Sequence, residues 1–148
     1  MAPSTTDLNT RPHVRARVRA APESIRFLAD LCRSYFESGL GLSLDSQLVA
    51  QLRLGIQEMV TNVVRHAYRD GESGLLDLEL GFEGGELVVV LRDRGMPFDP
   101  TAGRGALPAP DELAEGGYGL GLVREVMTRI DYAYDIHEGN RLTMRRML

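Results

Sequence analysis

Hydrophobic spacing changes period along this chain, and the order of the changes excludes most folds. Over residues 25–36 and again over 48–67 the apolar side chains recur every three or four positions, the interval that lines one face of an α-helix. Beyond them Leu76, Leu78, Leu80 and Phe82 alternate with Asp77, Glu79 and Gly81, and residues 87–91 form an unbroken apolar run. Both patterns suit strands. Helices grouped with helices and strands with strands do not build successive βαβ units. The pattern predicts an α+β, two-layer sandwich in which helices cover one face of a mostly antiparallel sheet.

The boundaries carry their own signals. Val14, Ala16 and Val18 alternate with Arg15, Arg17 and Arg19, which suits a short half-exposed strand. Pro22 can open the first helix, and Gly39 and Gly41 stop it. Ser43 or Asp45 can cap the second, whose stripe of Leu48, Leu52, Ile56, Met59, Val60, Val63 and Ala67 continues to about Tyr68. Glu83-Gly84-Gly85 joins the next two strands. Residues 94–118 are rich in Gly, Pro and charge, a length uncommon in a compact domain unless the segment binds something, so they read as a lid. Helical spacing returns over 120–129, and 132–136 with 141–147 read as a closing hairpin around Glu-Gly-Asn. Residues 1–12 read as a flexible polar arm and 13–148 as one domain.

Composition removes several chemistries. With 148 residues, 43% of them hydrophobic, the chain can bury one core. A net charge of -4, with arginines clustered only between Arg11 and Arg19, argues against direct nucleic-acid binding or an anionic membrane. Cys32 is the only cysteine, no stretch approaches a membrane span, and residues 1–12 lack the apolar run of a secretory signal, so the expected compartment is the cytoplasm. All seventeen basic residues are arginine. Without lysine there is no Walker A loop, no Schiff base and no phosphate-pairing lysine of the eukaryotic-type protein kinases.

Three segments can carry chemistry. On the second helix, Glu58 and Asn62 lie one turn apart on nearly one line, as a pair facing one ligand or as an ordinary solvated face. A carboxylate and an amide there suit a partly hydrated Mg²⁺ held otherwise by phosphate oxygens. Asp93, after a buried strand, can accept from an exocyclic purine amine while Gly95 lets a flat ring approach, or it can cap a turn. Asp99 reads as a turn residue. Gly116-Gly117-Tyr118-Gly119-Leu120-Gly121 precedes a helix, where free backbone N–H groups and the helix dipole can hold phosphate, or where glycines can serve as a hinge.

Taken in order, Glu-x-x-x-Asn, Asp-x-Gly and Gly-x-Gly-x-Gly resemble the three boxes of the GHKL ATPases, the superfamily of gyrase, chaperone, histidine-kinase and MutL ATPases, whose ATP pocket uses no P-loop lysine. Within it the wording is similar to the RsbW-type anti-sigma-factor serine/threonine kinases: residues 62–68 match Asn-x-x-x-His-Ala-Tyr, 93–100 match Asp-x-Gly-x-Pro-Phe-Asp-Pro, and 116–122 match Gly-Gly-x-Gly-Leu-Gly-Leu. The resemblance implies that Glu58 is the general base, that Asn62 binds Mg²⁺ and nucleotide, and that Asp93 with Gly95 reads adenine. It further implies that Gly117, Gly119, Leu120 and Gly121 hold the phosphates of ATP beneath a lid at 94–118.

The same resemblance implies a homodimer that sequesters a sigma factor and phosphorylates a STAS-domain antagonist, with an exposed apolar face on the first helix or the sheet. Two positions depart from the pattern. Tyr118 stands where many relatives carry an arginine that steadies the transferring phosphoryl group, for which Arg104 is a candidate substitute; Asn140 follows Gly139 where relatives often have threonine. The first departure opens an alternative, a nucleotide-gated binding module with little or no kinase activity. The detached catalytic domain of a histidine kinase is a third reading, set back by the lack of a preceding helix with a phospho-acceptor histidine. His66 reads as structural, among apolar neighbours on its helix, and His13 and His137 as incidental.

Overall fold

The computed structural model describes residues 13–41, 43–69, 74–101 and 118–148; the expected arm, Arg104, Gly117 and most of the expected lid lie outside them. Strand β1 (Val14–Arg19) leads into helix α1 (Pro22–Ser34), whose ring-constrained Pro22 sits in the first turn. A π-helical turn, Tyr35–Gly39, extends α1 before the chain reverses at Gly41, φ 66°. Helix α2 (Ser46–Asn62) starts at Asp45, whose side chain accepts from the N–H groups of Gln47 (2.8 Å) and Leu48 (3.3 Å). Its last turn, Val63–Ala67, is also π-helical. Spacing alone does not foretell such a widening, which shifts every later side chain around the axis.

Strands β2 (Leu75–Glu83) and β3 (Glu86–Asp93) are joined by Gly84 and Gly85, at φ 61° and 80°. Two consecutive left-handed residues match the twist of a tight hairpin, which is why glycine occupies both. Helix α3 (Tyr118–Val126) stops three residues before the expected 129. The carbonyl of Val126 is taken by the Arg146 guanidinium (2.8 Å), and Thr128 N–H already pairs with the Arg145 carbonyl (2.7 Å), so sheet pairing captures the chain early. Strands β4 (Arg129–Asp135) and β5 (Gly139–Met147) close the chain.

The sheet runs β1-β2-β3-β5-β4 with every neighbouring pair antiparallel, as the α+β reading requires. Its inner face presents Leu76, Leu78, Leu80, Val89, Leu91 and Met144 to Leu28, Phe36, Leu52, Ile56 and Val123 of the helices. Each such leucine contributes about 1.5–3 kcal/mol of hydrophobic burial. Cys32 belongs to this core, and burial pushes its thiol up to about 12. The outer face carries ion pairs, with Glu79 meeting Arg15 (3.4 Å) and Arg92 (2.7 Å), and His13 Nε2 lies 2.7 Å from the same carboxylate. No helix of the described residues is long and apolar enough to cross a membrane.

Register places the functional end of the molecule. The last residue of β3, Asp93, lies directly opposite Asn140 of β5, and the end of α2 passes over both strands' ends.

Candidate functional site

A cavity of roughly 420 Å³, including its open mouth, lies where α2, β3, β5 and β4 converge. Met59, Val63, Leu91 and Leu142 give it apolar walls fit for a flat ring. Asn62, Asp93, Tyr132 and Asn140 supply polar groups, and Met96 and Phe98 flank it, each about half exposed.

Asp93 is buried, and its two oxygens do different work. Oδ1 accepts from Gly95 N–H (2.9 Å) and from Asn140 Nδ2 (2.9 Å), whereas Oδ2 has no partner among the described residues. The turn cap and the ligand acceptor left open by the sequence are therefore compatible: one oxygen serves the turn, the other remains for a donor. Burial pushes the carboxyl above its ordinary value, and the bonds from Asn140 and Gly95 offset part of that.

The segment after Asp93 is fastened from both sides. Arg94 N–H donates to the Tyr68 hydroxyl (3.1 Å), which itself donates to the Leu75 carbonyl (2.9 Å), and Met96 N–H donates to Ala67 O (2.6 Å). From the other side Phe98 N–H donates to the Tyr132 hydroxyl (3.1 Å), and Asn140 Nδ2 also reaches the carbonyls of Gly95 (3.2 Å) and Met96 (3.1 Å). Tyr132 in turn donates to Asn140 Oδ1. Gly95 has a packing duty that its sequence context does not announce: a Cβ there would stand 2.2 Å from Ala67 O, so the end of α2 can lie on this loop only over a glycine. Residues 94–98, expected within the lid, are pinned to α2 on one side and to β4 and β5 on the other.

Asn62 lies on the cavity wall, and its side-chain amide has no partner among the described residues. Glu58, one turn earlier on α2, is half-buried and not on that wall. Among the described residues no group of three His, Cys, Asp or Glu could hold a metal ion. The Asn62 amide thus offers the cavity a single uncharged oxygen donor of the hard type. Gly119, Leu120 and Gly121 form the first turn of α3, with Leu120 half-buried against the core. A Cβ at Gly121 would meet nothing within 4 Å, so packing does not demand glycine there. Gly117 lies outside the described residues.

The structure corrects the reading of His66. It is exposed, and its ring stacks on Phe98 at 6.0 Å between centroids and 29° between planes. His13 pairs with Glu79, and Asp99 caps a turn through Thr101 N–H (2.8 Å). Tyr68 and Tyr132 escaped the sequence reading as site residues. Only strand parity pointed to Tyr132, which shares the inner face of the β4–β5 hairpin with Asn140 and Leu142.

Residues 14–146 match the family described as histidine kinase-like ATPase domain. The serine-protein kinase RsbW of Oceanobacillus iheyensis is 31% identical over 121 residues, which cover 78% of this chain and 75% of that protein. The protein of the same name from Bacillus subtilis is 27% identical over 146 residues, 95% of this chain and 88% of its own. That of Halalkalibacterium halodurans is 30% identical over 115 residues, 74% of this chain and 67% of its own. A match that spans β1 to β5 leaves no element unaccounted for, and the chain belongs to the histidine kinase-like ATPase family, as a relative of the RsbW serine-protein kinases.

Proposed function

We propose that the chain is an ATP-dependent protein serine/threonine kinase of the anti-sigma-factor type. It binds ATP with Mg²⁺, sequesters a sigma factor and phosphorylates a STAS-domain antagonist, as a cytoplasmic homodimer that does not touch nucleic acid directly. The observation that carries this reading is the presence of the Asp93 carboxylate and the Asn62 amide on the walls of one apolar cavity, in a chain related along most of its length to serine-protein kinases.

In this reading Asp93 Oδ2 accepts from the adenine amine, and Gly95 lets Ala67, itself on the cavity wall, pack closely beside that carboxylate's loop. Asn62 contributes an oxygen to Mg²⁺, which when bound offsets charge on the phosphates. The start of α3, with Gly117, Gly119, Leu120 and Gly121, offers N–H groups to those phosphates. Glu58 takes the proton of the acceptor serine or threonine hydroxyl as its oxygen attacks the γ-phosphorus and ADP leaves. Phe27, 58% exposed on α1, supports a contact surface for a partner or a second copy.

The test is transfer of the labelled γ-phosphate of ATP to a purified STAS-domain antagonist. Label on serine or threonine establishes the kinase. ATP binding without transfer selects the nucleotide-gated binding module instead, a reading favoured by Tyr118 where the resemblance calls for arginine.

A further inference from the structure

The polar network behind the cavity contains one residue whose part no motif describes. Tyr132 stands on β4, two strands from Asp93, yet its hydroxyl accepts from Phe98 N–H and donates to Asn140 Oδ1. Asn140 is buried, and its Nδ2 faces three acceptors: Asp93 Oδ1, the Gly95 carbonyl and the Met96 carbonyl. The amide cannot turn over without setting its own oxygen against all three. Its Oδ1 must therefore find a donor on the far side, and among the described residues only the Tyr132 hydroxyl supplies one. Burial pushes that phenol above its ordinary value, so it keeps the donated proton throughout the neutral range.

We infer that Tyr132 is a positioning residue for base recognition: through Asn140 its hydroxyl holds the Asp93 carboxylate with Oδ2 left to the cavity, and it ties that carboxylate to the Phe98 backbone. The inference rests on the ATP reading of the site. Deleting the hydroxyl orphans two groups at once, the buried Asn140 Oδ1 and Phe98 N–H. An orphaned buried acceptor is costly, so the amide shifts toward water and away from Asp93. The carboxylate then loses one of the two donors that fix Oδ1, and Oδ2 is no longer held where an exocyclic amine meets it. Contacts to the phosphates, made at α2 and α3, are untouched.

Titration calorimetry with two ligands tests this, ATP and purine riboside triphosphate, which lacks the exocyclic amine. Tyr132→Phe should weaken ATP about tenfold, the worth of about one good hydrogen bond, and purine riboside triphosphate less than about twofold. Equal losses for both ligands would reduce Tyr132 to a structural role, and unchanged ATP binding would remove it altogether; either overturns the inference. Hydrogen exchange on the unsubstituted protein gives a second measure that needs no variant. Phe98 N–H should exchange more slowly with ATP than with purine riboside triphosphate, and equal protection counts against the proposal. Failure of the unsubstituted protein to bind ATP at all overturns the nucleotide reading itself, whereas ATP binding that Tyr132→Phe leaves intact overturns only the role of Tyr132.

Discussion

Replacing Gly95 with alanine should destabilise the fold by about 2–4 kcal/mol, and the structure gives each part of that figure. The added Cβ would lie 2.2 Å from Ala67 O, 2.5 Å from Ala67 Cβ and 2.6 Å from Ala67 C. Carbon contacts settle near 3.5–4.0 Å, so the end of α2 must recede by about 1 Å. Overpacking of that kind costs about 1–3 kcal/mol. The retreat also stretches the 2.6 Å bond from Met96 N–H to Ala67 O beyond useful length, adding about 1 kcal/mol. For a domain near this size, 1 kcal/mol shifts the unfolding midpoint by about 2–4 °C, so Gly95→Ala should melt about 5–15 °C below the unsubstituted protein. Gly121→Ala is the control: its Cβ meets nothing, and alanine in a helix is favoured over glycine by up to about 1 kcal/mol, so its midpoint should hold or rise. Thermal unfolding followed by circular dichroism measures both. A Gly95→Ala midpoint within about 2 °C of the parent would show that the α2 end yields freely and would refute the packing argument.

Asp93→Asn gives a pH-dependent outcome. Burial raises the Asp93 pKa above its usual 3.8, so the folded state holds that proton more tightly than the unfolded chain, a gain complete below the ordinary value and lost as pH climbs through the raised one. At pH 7 the variant should therefore have a higher urea midpoint than its parent while binding ATP more weakly, with the stability advantage fading toward pH 3. Glu79 behaves in the opposite sense, since the Arg92 bond holds it below its usual 4.5. Glu79→Gln should cost about 1 kcal/mol in urea unfolding at pH 7, and the difference should vanish as pH falls through the depressed value. Glu58→Gln should slow phosphoryl transfer about 10²–10⁴-fold in the labelled-phosphate assay while leaving the ATP dissociation constant within about twofold.

Local chemistry made much of this fold readable. Asp45 is a capping side chain with amides within reach, Gly84-Gly85 can only be a tight reversal, and the 87–91 run announces a strand with both neighbours paired. The positions of Asn62 and Asp93 on the cavity wall follow from helix spacing and a strand end, each of which places a polar group at a definable point. What escaped was long-range. The adjacency of β3 and β5 brings Asp93 to Asn140 across 47 positions, and no local pattern encodes it. His66 lies exposed between the stripe positions Val63 and Ala67, and the ring it stacks on, Phe98, comes 32 positions later, so no local pattern announces that contact. Gly95 was recognised as special for ligand approach, but its nearest neighbour is a backbone carbonyl of a helix 28 positions earlier.

The burial of Cys32 has a practical use. Its thiol is walled into the core and held in the protonated form that alkylating reagents ignore, and the chain has no other cysteine. A cysteine introduced at Ile136, 81% exposed on the β4–β5 turn, would be the sole target of a maleimide dye. The fluorescence of that single reporter could then follow events at the neighbouring cavity in real time, without first deleting any native residue.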